Sequence, residues 1–183
     1  MKQIILEGFD KVGKSTLANE LSKLLNFKVI HFPLKGDPKN YKASSRDEFI
    51  LTMINEMKEY YNHNNVIFDR WCISTIIYQK VTREELYYYK LLRLLREDAL
   101  YVCVEDLRLE SFNYCTKFEI IMKGGDIKPT HYLIVNFKDN PNLAIRRIID
   151  QLLKIEEEET ITEEENKGKI DVFNFFERMF KKD

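Results

Sequence analysis

Eight residues near the amino terminus, Gly8 to Ser15, have the order and spacing of a loop that binds phosphate groups. They read G-F-D-K-V-G-K-S, follow a short apolar run and precede a helical pattern, as the motif G-x-x-x-x-G-K-[ST] requires. The glycines let successive backbone N–H groups point into one concavity, at the positive end of the helix that begins near Lys14. The loop therefore predicts that the protein binds a nucleoside triphosphate.

The side chains of this loop predict a metal ion as well as a nucleotide. Lys14 should reach the β and γ phosphates, and the Ser15 hydroxyl should be a ligand of Mg²⁺, a hard ion that prefers oxygen. A glycine turn without a ligand is the alternative interpretation. We expect ATP and Mg²⁺ as cofactors. The expected ATP-binding residues are Gly8, Asp10, Lys11, Val12, Gly13, Lys14, Ser15 and Thr16.

A carboxylate and a guanidinium, Asp69 and Arg70, directly follow the apolar run at 66–68. The carboxyl end of a strand in a parallel sheet is where open α/β proteins bind ligands. Asp69 would hold Mg²⁺ through water there, and Arg70 would clamp the phosphate of an acceptor. A salt bridge at the end of a strand is the alternative interpretation.

These two sites require strands that end beside one another. Apolar runs predict short strands, and helical patterns or capping boxes, such as those at 45–48 and 82–85, separate them. A further helix is expected from Pro141 to about Ile155. Strands that alternate with helices pair in parallel, which favours an α/β fold. The predicted strands cover residues 3–7, 28–32, 66–68, 99–104 and 131–137.

Composition limits the class of protein. The 183 residues, 44% hydrophobic and 13% aromatic, are enough for one folded domain. Since 29 Lys and Arg nearly balance 30 Asp and Glu, no broad positive field favours nucleic acid or an anionic membrane. Three unpaired cysteines, a short apolar amino terminus and no apolar stretch of about 18 residues favour a cytoplasmic protein without signal peptide or membrane span.

Four segments in order resemble the thymidylate kinases, within the wider group of nucleoside monophosphate and deoxynucleoside kinases. Residues 7–16 are similar to that family's E-G-x-D-x-x-G-K-S-T, and residues 32–35 to F-P-x-R. Residues 69–71 are similar to D-R-[YFW], and residues 74–79 to S-x-x-x-Y-Q. The resemblance covers roughly the first 80 residues. It implies a three-layer α/β/α P-loop kinase fold with a five-stranded parallel sheet.

The resemblance also implies roles for particular residues. Asp10 would contact the sugar hydroxyl of the acceptor nucleotide, although it would serve equally to tighten its own turn. Lys11 and Lys35 replace family arginines that hold phosphates, and a lysine cannot make the planar two-pronged contact. An exposed turn lysine is the alternative interpretation of Lys35. The expected catalytic residues are Lys11, Lys14, Asp69 and Arg70.

The acceptor pocket is expected around aromatic and polar side chains that follow the second and third strands. Phe49 would stack on a base or pack in the core with its apolar neighbours, and Gln79 would bond a base edge or lie at the surface. Trp71 is expected to pack, and the histidines at 31, 63 and 131 are expected to be structural. The expected acceptor-binding residues are Asp10, Phe32, Lys35, Arg46, Phe49, Arg70, Ser74, Tyr78 and Gln79.

The family closes over the phosphates with a lid after its fourth strand. If 99–104 is the fourth strand, the lid falls in 105–130, a partly ordered segment with Arg108 and Lys117 as its cations. If 131–137 is the fourth strand, the lid falls in the acidic stretch after residue 156. The first assignment completes five strands in one domain over 1–183, with the acidic stretch and a terminal helix at 156–183.

Three functions follow from these patterns. The first is transfer of the ATP γ-phosphoryl group to a deoxynucleoside monophosphate, with dTMP as the expected acceptor. The alternatives are a deoxynucleoside kinase for thymidine or deoxycytidine and a non-catalytic nucleotide-binding regulator. The expected partners are small-molecule nucleotides, and the resemblance implies a homodimer.

Overall fold

The computed structural model describes residues 3–32, 44–124 and 131–158. Their strands form one parallel sheet in the order β2-β3-β1-β4-β5, with helices on its faces. The predicted α/β fold with a five-stranded parallel sheet is therefore confirmed. The strands are β1 (Gln3–Gly8), β2 (Lys28–His31), β3 (Val66–Asp69), β4 (Leu100–Glu105) and β5 (His131–Asn136).

Five helices alternate with these strands, and residues 141–148 are also helical. The chain divides into two compact units, Met1–Ile148 and Ile149–Asp183. In the second unit the described residues, 149–158, are helical, and most of the acidic stretch and terminal helix expected at 156–183 lies outside the described residues. A single domain over 1–183 stays a prediction. The helices are α1 (Lys14–Leu25), α2 (Arg46–Tyr60), α3 (Cys72–Tyr78), α4 (Leu86–Leu92) and α5 (Leu109–Gly124).

The central strand β1 is buried along its whole length, between β3 and β4. Its side chains alternate between two faces. Ile5 belongs to a core shared with α2, α3, α4 and α5, while α1 packs on β1, β2 and β3. The register pairs Leu6 with Asp69 and Gly8 with Val104, so the chain leaves β1 and β3 at the same edge of the sheet.

The helix starts follow the predicted capping signals in one case and differ in another. Ser45 caps α2, and its hydroxyl accepts the N–H of Glu48 at 3.2 Å. At the second signal the backbone N–H of Thr82 donates to Glu85, but α4 begins only at Leu86, with Glu85 rather than Thr82 at its N-cap. In the part of the chain that the structure describes, no helix has the length and apolar character needed to cross a bilayer.

The segment expected to be a partly ordered lid is a regular helix instead. Its buried side chains, Tyr114, Cys115, Phe118, Ile121 and Met122, recur at helical spacing and pack α5 on β1 and β4. Exposed apolar residues on the opposite face hid this period in the sequence. The lid prediction for 109–124 is therefore wrong, and 125–130 lies outside the described residues.

Gly8 joins the sheet to the phosphate-binding loop, and no other residue fits there. Its φ is +142°, and an added Cβ would lie 2.3 Å from the carbonyl oxygen of Val104. We expect Gly8→Ala to lower the free energy of unfolding by about 3 kcal/mol or more, because backbone must move to relieve the contact. Urea denaturation followed by circular dichroism measures the change.

Gly124→Ala is the matched control. A Cβ there would meet only the flexible end of Arg83 at 3.0 Å, and alanine favours the helix by about 1 kcal/mol. We expect this variant to be as stable as the wild type or slightly more so. Equal stability of Gly8→Ala and the wild type would contradict the close approach of β1 and β4.

Candidate functional site

The loop between β1 and α1 has the curved backbone that the motif predicts. Gly8, Lys11 and Gly13 have φ values of +142°, +63° and +100°, and α1 begins directly afterwards at Lys14. Val12 is fully buried and anchors the loop to the core. The N–H groups at the start of α1 and the helix dipole favour an anion at this position.

Lys14 lies in this loop with its side chain almost fully buried. Its Nζ donates to the carbonyl oxygen of Phe9 at 2.5 Å. Burial, together with the positive charge of Arg70, lowers the pKa of Lys14 to about 8, and the carboxylates of Asp69, Glu7 and Asp10 oppose this shift. A bound anion would stabilise the charged lysine, because it would supply a counter-charge in the same buried space.

Asp69 lies at the end of β3, opposite the loop. Its Oδ2 accepts the Ser15 hydroxyl at 2.6 Å and lies 2.8 Å from Nδ1 of His31. His31 therefore lies at the site, where it orients Asp69, a position that the sequence did not predict. It ends β2, whose register places it beside Asp69.

The oxygen atoms of Asp69 and Ser15 fit Mg²⁺. Within residues 3–32, 44–124 and 131–158, no cluster of three or more His, Cys, Asp or Glu side chains could hold a metal ion. Mg²⁺ typically takes only one or two protein oxygens and completes its shell with phosphate and water. The donor set therefore fits a nucleotide-bound Mg²⁺ rather than a caged metal.

A cavity of about 700 Å³ runs along the loop. It includes the predicted Asp10, Lys11, Gly13, Lys14, Ser15 and Thr16. Sequence reasoning missed the residues that follow β5, which the fold brings against Gly13: a Cβ on that glycine would lie 3.0 Å from the ring of Phe137. The remaining lining residues are His31, Phe32, Asp69, Arg70, Phe137, Lys138 and Pro141.

A second cavity of about 220 Å³ adjoins the first. The expected acceptor residues Phe32, Phe49, Ser74, Tyr78 and Gln79 all line it. Its walls are mostly aromatic and thioether side chains with a few polar groups, as is usual for sites that bind small molecules. Sequence reasoning missed Met53, Met57 and Thr75 and expected Trp71 only to pack; all four also line the cavity.

Asp10, Phe32 and Arg70 line both cavities. Arg70 Nη2 forms an ion pair with the Asp10 carboxylate, and its guanidinium carbon lies 4.9 Å from the centre of the Tyr78 ring. Arg108 reaches the same point, since its Nη2 donates to the Asp10 carbonyl at 2.6 Å. A guanidinium thus lies at the boundary between the two cavities.

Arg108 is in turn held by Asp106, a carboxylate at the carboxyl end of the β4 region. Asp106 Oδ2 accepts a hydrogen bond from Arg108 Nε at 2.8 Å. The same oxygen accepts a second hydrogen bond from Lys138 Nζ at 3.1 Å. The bond to Arg108 holds the pKa of Asp106 well below its usual range. Two cations, Arg108 and Lys138, therefore border the loop.

Two expected residues of the described part of the chain, Arg46 and Lys117, do not line the cavities. Arg46 forms a two-pronged ion pair with Glu85 at 2.7 and 3.0 Å and donates to the Gln79 carbonyl at 2.8 Å, which joins α2 to α3 and α4. Lys117 lies on the exposed side of α5. Lys35 lies outside the described residues.

Glu7 is the charged group that the sequence did not single out for a role. It belongs to the motif that carries the family resemblance, but its side chain is fully buried behind the loop. It contacts Trp71, Ser74 and Tyr114. A lone charged residue in the apolar run of β1 was the signal that could have identified it.

Comparisons with known proteins identify the fold. No family model matches the sequence, and no curated protein matches it. Bacillus subtilis YorR, solved in complex with phosphorylated GDP, is 21% identical with a TM-score of 0.55, over 85% of this chain and 98% of that one. Thymidylate kinase from Ehrlichia chaffeensis is 19% identical with a TM-score of 0.54, over 81% and 97%.

Deoxyadenosine kinase from M. mycoides, solved with the products dCMP and dCDP, is 18% identical with a TM-score of 0.53. The match covers 83% of this chain and 99% of that one. Two of these three structures are named as kinases, and all three share their fold with this chain. At these identities the likeness shows the P-loop kinase fold and does not distinguish thymidylate kinases from other kinases.

The buried position of Lys14 predicts that nucleotide binding takes up a proton. Since its pKa in the free protein is about 8, about half of the molecules carry a neutral lysine at pH 8, and bound phosphate will recharge them. Isothermal titration calorimetry with ATP, in buffers of different ionisation enthalpy, should show uptake of up to about half a proton at pH 8 and a smaller contribution from Lys14 at pH 6.

Lys14→Arg is the control, because a guanidinium stays charged throughout this range. We expect no uptake at pH 8 in this variant. The same uptake in both proteins would show that another group titrates.

Proposed function

We propose that the protein transfers the γ-phosphoryl group of Mg²⁺-bound ATP to a deoxynucleoside monophosphate, with dTMP as the first acceptor to test. The observation that carries this proposal is the boundary shared by the two cavities, where Arg70 and Asp10 face both. A donor along the loop and an acceptor in the smaller cavity would meet there. Homodimer formation and a cytoplasmic location stay predictions.

The donor half of the site would hold the triphosphate. The N–H groups of the loop and Lys14 would bind its β and γ phosphates, while Ser15 and Asp69 would hold the metal ion. Mg²⁺ supplies charge neutralisation between the β and γ phosphates when bound. Lys11, which is exposed beside this cavity, remains a predicted catalytic residue.

The acceptor half would recognise a nucleoside of modest size. Phe32 and Phe49 supply aromatic faces for a base, and Thr75 and Gln79 supply hydrogen-bonding groups for its edge. The Arg70 guanidinium would bind the acceptor phosphate with two parallel hydrogen bonds.

The chemistry needs no nucleophilic side chain. An oxygen of the acceptor phosphate forms a bond to the γ phosphorus, and the bond from that phosphorus to the β–γ bridging oxygen breaks to release ADP. The attacking oxygen of a monophosphate is already ionised at neutral pH, so no general base is required. Positioning and charge stabilisation would supply most of the rate.

A deoxynucleoside kinase is the second candidate. The Asp10 side chain is 61% exposed and lies at the boundary of the cavities, where it could take the proton of an attacking 5′-hydroxyl. The likeness to the M. mycoides deoxyadenosine kinase supports the same candidate. Thymidine and deoxycytidine are the first nucleosides to test.

A coupled assay of ADP release distinguishes these functions. We expect turnover with ATP and dTMP, little turnover with nucleosides, and loss of about a thousandfold or more in kcat for Lys14→Ala, since that lysine would stabilise the transferred charge. Faster turnover with thymidine or deoxycytidine would favour the second candidate. ATP binding without turnover on any acceptor would favour a non-catalytic regulator.

Replacing Arg70 by lysine tests the acceptor clamp. Lysine keeps the charge but cannot make the planar two-pronged contact, so we expect kcat/KM for the monophosphate to fall about a hundredfold while the Kd for ATP changes less than about threefold. Steady-state kinetics and calorimetry measure the two quantities.

Arg46→Lys is the matched control. Arg46 was also among the expected acceptor ligands, but the structure pairs its side chain with Glu85, and it lines neither cavity. We expect an unchanged KM for the acceptor. If Arg46→Lys raised that KM and Arg70→Lys did not, the assignment of the clamp would be wrong.

A further inference from the structure

Glu7 is a fully buried carboxylate on the central strand, directly before the phosphate-binding loop. Burial of an ionised carboxylate is costly unless it is paired and hydrogen-bonded. Glu7 lies on the same side of the sheet as α3 and α5, since its contacts belong to those elements. Its presence in a strand that is otherwise almost wholly apolar requires an explanation.

The Glu7 carboxylate accepts hydrogen bonds from four donors. Oε1 accepts the backbone N–H groups of Trp71 at 3.0 Å and of Ser74 at 3.3 Å. Oε2 accepts the hydroxyls of Ser74 and of Tyr114, the latter at 3.0 Å. The carboxylate thus anchors the first turn of α3 to the end of β1 and to α5.

Arg70 lies between this anchor and the end of β3. Its φ of +76° is unusual for a residue with a side chain, so the surrounding contacts must hold it there. Its backbone N–H donates to the Leu6 carbonyl at 2.9 Å, directly before Glu7. Its Nη1 lies 3.4 Å from the Gly8 carbonyl oxygen and 3.4 Å from the Ser74 hydroxyl, which itself donates to Glu7.

We infer that Glu7 is a positioning residue: its carboxylate fixes Trp71 and Ser74 and so holds the Arg70 guanidinium at the boundary of the two cavities, where it binds the acceptor phosphate. This role rests on the phosphoryl transfer proposed above. The negative charge of Glu7 matters as well as its shape. The Arg70 guanidinium lies near the positive charge of Lys14, and the Glu7 carboxylate attracts both cations. Loss of the charge removes one of the three carboxylates, with Asp10 and Asp69, that offset the repulsion between these cations.

The pH range in which Glu7 ionises follows from its surroundings. Burial raises the pKa of Glu7 to about 7, against the lowering effects of the Ser74 hydroxyl, Arg70 and Tyr114. Lys14, with its pKa near 8, is mostly charged at the midpoint of the Glu7 titration and begins to lose its proton at the upper end of that range. Arg70 is charged at all pH values of interest.

The other titratable groups that interact with Glu7 stay neutral there, because burial raises the pKa of each above its ordinary value. These groups are Cys72 on α3, Tyr101 and Cys103 on β4, and Tyr114 on α5. Glu7 therefore changes charge between about pH 6 and pH 8 while these four groups stay neutral.

Glu7→Gln removes the charge and keeps the shape. The amide oxygen can still accept the N–H groups of Trp71 and Ser74, and the hydroxyls of Ser74 and Tyr114 can turn to accept from its NH₂ group. At pH 8 we expect kcat/KM for dTMP to fall about ten- to a hundredfold while the Kd for ATP changes less than about threefold. If kcat/KM for dTMP and the affinity for ATP fell by the same factor, the inference that Glu7 positions Arg70 in particular would be overturned.

The pH profile separates this role from a structural one. The ratio of wild-type to Glu7→Gln kcat/KM cancels the titration of the substrate, and we expect it to rise with pH about a midpoint near 7. A flat ratio from pH 5.5 to 9 would overturn the inference. The unfolding free energy of Glu7→Gln relative to wild type should increase between about pH 4.5 and pH 7 and level off above that, since only in this window does unfolding of the wild type release the Glu7 proton.

Tyr114→Phe is the second variant, and it touches neither cavity. It removes a hydrogen bond that lowers the pKa of Glu7, so the midpoint of the wild-type profile should move to higher pH while kcat/KM at pH 9 stays near that of the wild type. A loss that is equal at all pH values would indicate damage to packing and would count against the inference.

A measurement without substrate distinguishes failure of this role from failure of the proposed function. The ¹⁵N resonance of Arg70 Nε, assigned by comparison with Arg70→Lys, should titrate with the Glu7 midpoint in the wild type and not in Glu7→Gln. If it does so in a protein that turns over no acceptor, the proposed function fails and the coupling stands. If it is indifferent to Glu7, the coupling fails whatever the enzyme does.

Discussion

The arrangement of the site depends on one ion pair, between Asp10 in the phosphate-binding loop and Arg70 at the end of β3. The two residues are 60 positions apart in the chain and meet because β1 and β3 are adjacent and parallel, with Leu6 opposite Asp69. This register places a guanidinium between a large cavity along the loop and a smaller aromatic one. A shift of one residue would turn the side chains of β3 to the opposite face and separate the pair.

The strands and the loop were predictable because their signals are local. Each of the five strands is a short apolar run, and the structure places each within about two residues of its predicted bounds. The motif at 8–15 requires a strand before it and a helix after it, and both are present. Asp69 and Arg70 were predictable because the end of β3 is marked by the abrupt change from apolar to charged residues.

What the sequence did not reveal depends on contacts between distant residues. Arg46 is paired with Glu85, 39 positions later in the chain. No local sequence pattern indicates that Glu85, rather than a ligand, would pair with this guanidinium. His31 and Phe137 enter the site only through the order of the strands. The period of α5 was hidden because Leu109, Phe112 and Ile120 are exposed, so apolar residues lie on both faces of that helix.

The charges of the site are arranged at a cost to the free protein. Burial and the nearby charge of Arg70 lower the pKa of Lys14, and Glu7 is ionised only against the penalty of full burial. The cost at the lysine diminishes when a phosphate enters, because the anion pairs with both cations. A site built in this way binds phosphate through groups that are already dehydrated and fixed in place, so little reorganisation is required when charge develops during transfer. The strained backbone at Arg70 is consistent with the same principle, since the fold holds that residue where a ligand needs it rather than where the chain would relax.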